Sequence, residues 1–219
     1  MAMNISFNAS NFSHTGINTN SKQYKAAAKD YLANHRAEVA KMSPQERQMY
    51  ELFGGEQAYM RNVMKMYNSD GDYVGADGCT VPGMVATGIP ESERHQMINV
   101  SEEYRQKMFD LVKKEFIREK GVANGDTTNR SFVYREYQLS IKKEDRLKGS
   151  WSLEQYEQKY RSALAAAVKA ANPNWKNGDT FDASILDSVT RESVESQLAK
   201  SGNTFVKKSS SGSTLDIQV

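Results

Sequence analysis

From Leu153 to Ala171 the residues Leu153, Tyr156, Tyr160, Ala163, Leu164, Ala167, Val168 and Ala171 recur at spacings of three and four, which puts them on one face of a continuous α-helix. No strand can use this pattern, because a strand turns successive side chains to opposite faces. Ser152 followed by Gln155 has the form of a capping box opening the helix. Asn172-Pro173 closes it, since the residue before proline avoids the α region. One helix cannot hide such a stripe from water, so the rest of the chain must supply partners with matching faces. The fold class that meets this demand is mainly α, an irregular bundle of about six or seven helices.

The best partner follows Ser101, with Tyr104, Met108, Leu111, Val112 and Phe116 as its stripe and Gly121 as its stop. Glu102 and Glu103 sit at its positive end and Arg118 and Lys120 at its negative end, each sign where the helix dipole favours it. Earlier in the chain, Tyr24, Ala27, Ala28, Tyr31, Leu32 and Val39 predict a helix ending near Met42. Ser43-Pro44-Gln45-Glu46 then combines a hydroxyl N-cap, proline at the first helical position and glutamate at the third. Gly54-Gly55 interrupts this second helix, and Ala58, Val63, Met64 and Tyr67 resume it. Pro90 with Glu91, Ser92 and Glu93 opens a short helix. Residues 130–147 carry both a strand-like alternation (Phe132, Tyr134, Glu136) and a helical one (Val133, Tyr137, Ile141, Leu147); helix is favoured. A last helix is expected from about Asp182 to Lys200 through Ile185, Leu186, Val189 and Leu198, with Gly202 as its stop.

Three segments fall outside these helices. Residues 1–21 contain no Lys, Arg, Asp or Glu and are rich in Asn, Ser and Thr, too few apolar groups to offset the entropy of ordering, so a disordered polar leader is expected. Residues 68–89 form a glycine-rich internal loop with room for a small hairpin. Residues 203–219 read as a flexible C-terminal tail, which leaves 22–202 as a single helical domain. No fixed-period repeat appears, so no solenoid is expected.

The formal charge is only +2, from 29 basic and 27 acidic residues interleaved along the helices, which argues against a dedicated nucleic-acid surface. No run of apolar residues is long enough to span a bilayer and no secretory signal is visible, so a cytoplasmic location is the default. Cys79 is the one cysteine, which excludes an intramolecular disulfide and a cysteine-built zinc site.

Asn68, Asp70 and Asp72 fall at the first, third and fifth positions of an EF-hand-type loop, where oxygens converge on a hard cation such as Ca2+, and Asp77 could add another. Tyr73 stands where that motif needs glycine and Cys79 where it needs a bidentate glutamate. The same residues are ordinary turn formers. Cys79 with His95, the nearest histidine along the chain, is the candidate pair for nucleophilic catalysis. Strings of Glu, Asp, Lys and Arg, including Lys142, Lys143, Arg146 and Lys148, read as solvated faces. Trp151 and Trp175 flank the Leu153–Ala171 helix as loop clamps or partner anchors. No phosphate-loop or dinucleotide motif occurs in the sequence.

The stretches MYNSDGDYVGADG (66–78), IPESERHQ (89–96), KKEDRLKG (142–149) and AANPNWKNG (170–178) resemble those of an uncharacterised family of Firmicutes bacteria, over about residues 43–202. The resemblance implies a bacterial origin and carries no catalytic residue. The leader is similar in composition to the unfolded N-termini used by flagellar-type export systems.

These readings lead first to a non-enzymatic helical interaction or structural protein with a protein partner, cytoplasmic by default, with export by such a route and without a cleaved signal as the alternative. Ten methionines and 11 tyrosines suit adaptable contacts. A calcium-binding module on the 68–77 loop is the second reading, and a hydrolase with its site under the 68–89 loop is the third.

Overall fold

The computed structural model describes residues 16–84, 86, 88–123, 126–202 and 204–208. The chain is mainly helical, with two short hairpins, and it divides into two compact units, Met1–Gly83 and Met84–Val219. The leader reading concerns residues 1–21, of which 1–15 lie outside the described residues.

In the first unit, helix α1 (Lys22–Ala27) runs through a π-helical turn (Ala28–Leu32) into α2 (Ala33–Ala40). Ser21 caps α1 by accepting from the Tyr24 amide at 3.1 Å. Helix α3 (Pro44–Leu52) opens with the expected capping box at Ser43 and proline at its start. The chain then turns at Gly54 (φ 95) into α4 (Gly55–Met64). Ala27, Met60, Val63 and Tyr67 form the buried core here, flanked by Tyr24, Tyr31 and Leu32. Gln23 Nε2 donates to the Met64 and Tyr67 carbonyls at 2.8 and 2.7 Å, tying α1 to the chain at and just past the end of α4. Past it, β1 (Tyr73–Val74) pairs antiparallel with β2 (Thr80–Val81), the hairpin for which the glycine-rich loop left room. Gly71 (φ 74) brings that loop against α1: a Cβ there would lie 2.8 Å from the Lys22 carbonyl oxygen.

In the second unit, α5 (Glu91–Arg94) precedes α6 (Glu102–Arg118), α7 (Thr128–Ser140) and α8 (Arg146–Ala171). The ambiguous 130–147 stretch is therefore helical to Ser140. The stripe of α8, Leu153, Tyr156, Tyr160, Leu164 and Val168, meets Met108, Phe109, Val112 and Phe116 of α6 in the main core. Trp175 packs on Phe116 and Phe181 and donates from Nε1 to the Asp179 carbonyl at 2.9 Å, clamping the loop after α8. It also covers the end of α6, where Gly121 (φ 77) returns its amide to the Phe116 carbonyl.

Two expectations need correction. Helix α8 begins at Arg146, so Ser152 is no cap; it is buried inside the helix, donating to the Lys148 carbonyl at 2.7 Å and accepting from the Ile98 amide at 2.9 Å. The second concerns the last helix. Residues 182–200 form a 3-10 turn (Ala183–Leu186), the six-residue α9 (Arg191–Ser196) and strand β3 (Leu198–Ser201). Thr190 breaks the run by capping α9 reciprocally with Ser193. β3 then pairs with β4 (Thr204–Lys207), so the chain assigned to a tail from residue 203 is in part a hairpin, and Gly202 (φ 57) turns it. Phe205 explains the pairing: it is buried, its ring 4.7 Å from that of Tyr156.

Both tryptophans lie in the second unit, so their emission reports its unfolding. By urea titration Leu164→Ala is expected to lower stability by about 2–5 kcal/mol through the cavity it leaves. Gly121→Ala is expected to cost about 2 kcal/mol, because a Cβ there would stand 2.7 Å from Trp175 Cη2.

Candidate functional site

Helix α8 carries a second, polar stripe away from its core face: Leu147, Trp151, Glu154, Glu157, Gln158 and Arg161 follow each other at helical spacing. With Arg130 and Tyr134 of α7 and Arg94 and His95 at the end of α5, they line a cleft of about 630 Å³ within the second unit. That volume is in the range that small ligands occupy. Ten residues of helix separate Trp151 from Arg161, so the cleft extends about 15 Å along α8.

At one end His95 stacks on Trp151, with ring centroids 5.4 Å apart and planes 16° from parallel. His95 Nδ1 lies 3.5 Å from a Glu91 carboxylate oxygen one turn earlier. At the other end is a cluster of charges. Arg130 Nη1 donates to Glu157 Oε1 at 2.7 Å, and Tyr134 Oη donates to Glu157 Oε2 at 2.9 Å. Behind them Glu115 of α6 is 1% exposed. Its Oε2 lies 3.2 Å from Arg130 Nε and 3.9 Å from Arg161 Nη2. Neither Glu115 oxygen accepts a hydrogen bond of good geometry.

Burial pushes the Glu115 carboxyl above its ordinary range, and the Arg130 guanidinium only partly offsets it. Burial also raises the Tyr134 phenol, reinforced by the Glu157 charge, and keeps it a neutral donor. The arrangement can stack a flat or apolar group at one end and hold an anionic one at the other.

A different network, centred on the buried Arg191, braces α9. Arg191 donates to Gln106 and Glu102 of α6 and to Glu192 and Glu195 of α9, while Arg105 and Tyr160 also donate to Glu195. These bonds hold α9 to α6 and α8, with the Arg105 Nε left outside them.

The residues singled out in the sequence are placed as follows. Asn68 Oδ1 accepts from the Asp70 and Asp72 amides at 3.0 and 2.9 Å, Asp72 Oδ1 accepts from the Gly83 amide at 2.9 Å, and Asp77 Oδ1 accepts from the Cys79 amide at 2.9 Å. These bonds are those of loop formers. Among the described residues no group of three or more His, Cys, Asp or Glu is placed to hold a metal ion. Cys79 is a partly exposed free thiol in the first unit, and His95 belongs to the second. Trp175 is a core clamp, whereas Trp151 lines the cleft. Sequence reasoning missed Glu115, Arg130, Tyr134, Glu157 and Arg161. The available signal was the second stripe on α8, with an aromatic residue among its charges.

In the first unit Met49, Leu52 and Phe53, at positions i, i+3 and i+4, are 50%, 74% and 74% exposed. No helix among the described residues is long and apolar enough to cross a membrane.

A family model described as a domain of unknown function (DUF3879) matches residues 17–219. No curated protein and no solved structure matches the chain.

Arg130→Met leaves Glu115 without its nearest countercharge and is expected to destabilise the second unit by about 3 kcal/mol at neutral pH. A carboxyl whose folded pKa is raised binds more protons in the native state, so its contribution is largest below about pH 4.5, its ordinary value, and is lost as pH rises through the raised one. The deficit in Arg130→Met is therefore expected to shrink toward pH 4.5, read from urea midpoints at both pH values. Asn68→Ala is expected to cost about 1–3 kcal/mol by freeing two backbone amides, equally with calcium and with chelator. A cost that appears only in calcium would instead support the cation reading.

Proposed function

For this chain, which belongs to the family described as a domain of unknown function (DUF3879), we propose a non-enzymatic binding role in which the cleft along α8 receives a small molecule or a projecting side chain of a partner. The observation that carries the reading is the pairing of a stacked His95–Trp151 platform with arginines in one concavity of ligand size. Tryptophan and arginine are the side chains that most often dominate binding energy. Glu157 is engaged by Arg130 and Tyr134, and Glu115 lies below the surface. A carboxylate engaged by two donors, as Glu157 is, suits recognition better than proton transfer.

Trp175→Phe leaves Trp151 as the single emitter, since the chain has two tryptophans. In that background, compounds that occupy the cleft are expected to shift Trp151 emission and to raise Tm, as any ligand of the native state does. The Tm shift is expected to disappear in Trp151→Ala. Turnover of a bound compound, or a Tm shift that survives Trp151→Ala unchanged, would overturn the reading.

Export is a further part of the proposal and is supported by the charge-free composition of residues 1–21 alone. Comparing secretion of the full chain with that of a deletion of residues 2–20 tests it; equal secretion excludes the leader.

A further inference from the structure

Four nitrogens on the arginines that border the cleft are withdrawn from solvent without a hydrogen-bond acceptor: Arg94 Nε, Arg130 Nε, and Arg161 Nη1 and Nη2. Arg161 is the most incomplete of the three. Both its terminal nitrogens are in this state, and the one carboxylate oxygen ion-paired with it, on Glu115, stands at 3.9 Å, beyond hydrogen-bond reach. A guanidinium offers five N–H donors in a planar fork, and desolvating them without acceptors is costly. The fork matches the oxygens of a carboxylate, phosphate or sulfate group.

Glu115 is the internal anion of this end of the cleft, and it serves poorly. One carboxylate faces two arginines, and neither of its oxygens receives a well-formed hydrogen bond. The charged groups that face it are Arg118 and Glu119 on its own helix, Arg130 on α7 and Arg161 on α8, with Glu157 held just beyond Arg130. A second anion arriving at Arg161 would stand beside Glu115, which is withdrawn from water. Like charges so placed do not both persist, and the buried carboxyl is the one that can take a proton.

We propose that the inner end of the cleft is an oxyanion site in which Arg161, assisted by Arg130, receives a carboxylate, phosphate or sulfate group, and that one proton is taken up from solvent on Glu115 as the anion binds. The inference rests on the reading of the cleft as a binding site and names the ligand's charged group. The Glu115–Arg130 and Glu115–Arg161 pairs are the internal contacts that the ligand replaces.

Calorimetric titration of the full chain with sodium sulfate, which does not titrate near neutrality, at fixed ionic strength tests the proposal. Parallel arms use benzoate and phenyl phosphate. Saturable binding of sulfate is expected, weakening by about tenfold per pH unit where Glu115 is ionised in the free protein. Buffers of different ionisation enthalpy should report uptake of one proton. Glu115→Gln is expected to bind with little pH dependence and no proton uptake. Arg161→Met is expected to weaken binding more than tenfold, with Arg161→Lys retaining part of it; the Tm of each unliganded variant shows that it is folded. Tighter binding of benzoate or of phenyl phosphate than of sulfate identifies the ligand as carboxylated or phosphorylated, and either supports the site. Absence of saturation by all three anions overturns the inference. So does binding unaffected by Arg161→Met, or an undiminished pH dependence in Glu115→Gln. If an uncharged or cationic compound shifts Trp151 emission while the anions do not bind, the oxyanion inference fails and the cleft reading stands; if nothing does either, both fail.

Discussion

The apolar seam between α6 and α8 is the contact on which the rest of the second unit depends. Leu153, Tyr156, Tyr160, Leu164 and Val168 on one side and Met108, Phe109, Val112 and Phe116 on the other bury side chains whose removal from water stabilises by about 1.5–3 kcal/mol each. Because this seam is buried and continuous, polar groups can be set around it at fixed positions. Tyr160 shows the coupling directly: its ring packs against Phe109 while its hydroxyl reaches Glu195, so one side chain ties the core to the ion network under α9. Arg146, fully buried at the start of α8, donates to the Gln138 carbonyl at 2.7 Å and so joins the end of α7 to the same helix.

Helix α8 therefore works as a two-faced beam. One stripe anchors it and the other presents Trp151, Glu154, Glu157 and Arg161 to the cleft. Gly149 makes the close approach of α7 possible, since a Cβ there would stand 2.6 Å from Ile141 Cδ1 and 3.1 Å from the Tyr137 ring. A site built on rigid helices holds its side chains more closely than one built on loops. In this chain the charged end of the cleft is carried by α6, α7 and α8 together, the three longest helices among the described residues.

How much of this was legible depended on whether the signal was local. The Ser43 capping box, the break at Gly54-Gly55 and most of the stripes on α6 and α8 depend on near neighbours and formed as their sequence implies, although α6 buries Phe109 where Leu111 was expected and Ala171 is exposed. Ser152 misled because Ser-x-x-Gln is a cap only at a helix start, and the start was set earlier, where Lys143–Asp145 form a 3-10 turn leading into α8. The final hairpin was hidden because Leu198 and Phe205 are drawn into the core by residues far away in sequence. The cleft was least legible of all. Glu115 reads as one more charge on a solvated face, and only tertiary contact with Arg130, fifteen positions on, shows that it is buried. The Asn68–Asp77 loop is the opposite case: its oxygens have the spacing of cation ligands, while Asn68 and Asp77 also accept from amides of their own loop.

The π-helical turn at Ala28–Leu32 marks the first unit in a way that concerns insertion and deletion rather than substitution. Such a turn accommodates one residue more than an α-helical turn does, so everything after it is rotated by about 100° relative to an uninterrupted helix. Downstream of it, His35 stacks on Tyr59 with centroids 3.5 Å apart, and Arg36 grips Glu56 through two bonds of 2.7 and 2.8 Å. Both contacts presuppose the extra residue. Upstream, Tyr24 and Ala27 face the core made by Met60 and Val63 with no such need. A chain shortened by one residue within this turn would keep its composition and its upstream packing while carrying His35 and Arg36 away from α4. The length of this segment is thus as much a structural parameter as the identity of any side chain in it.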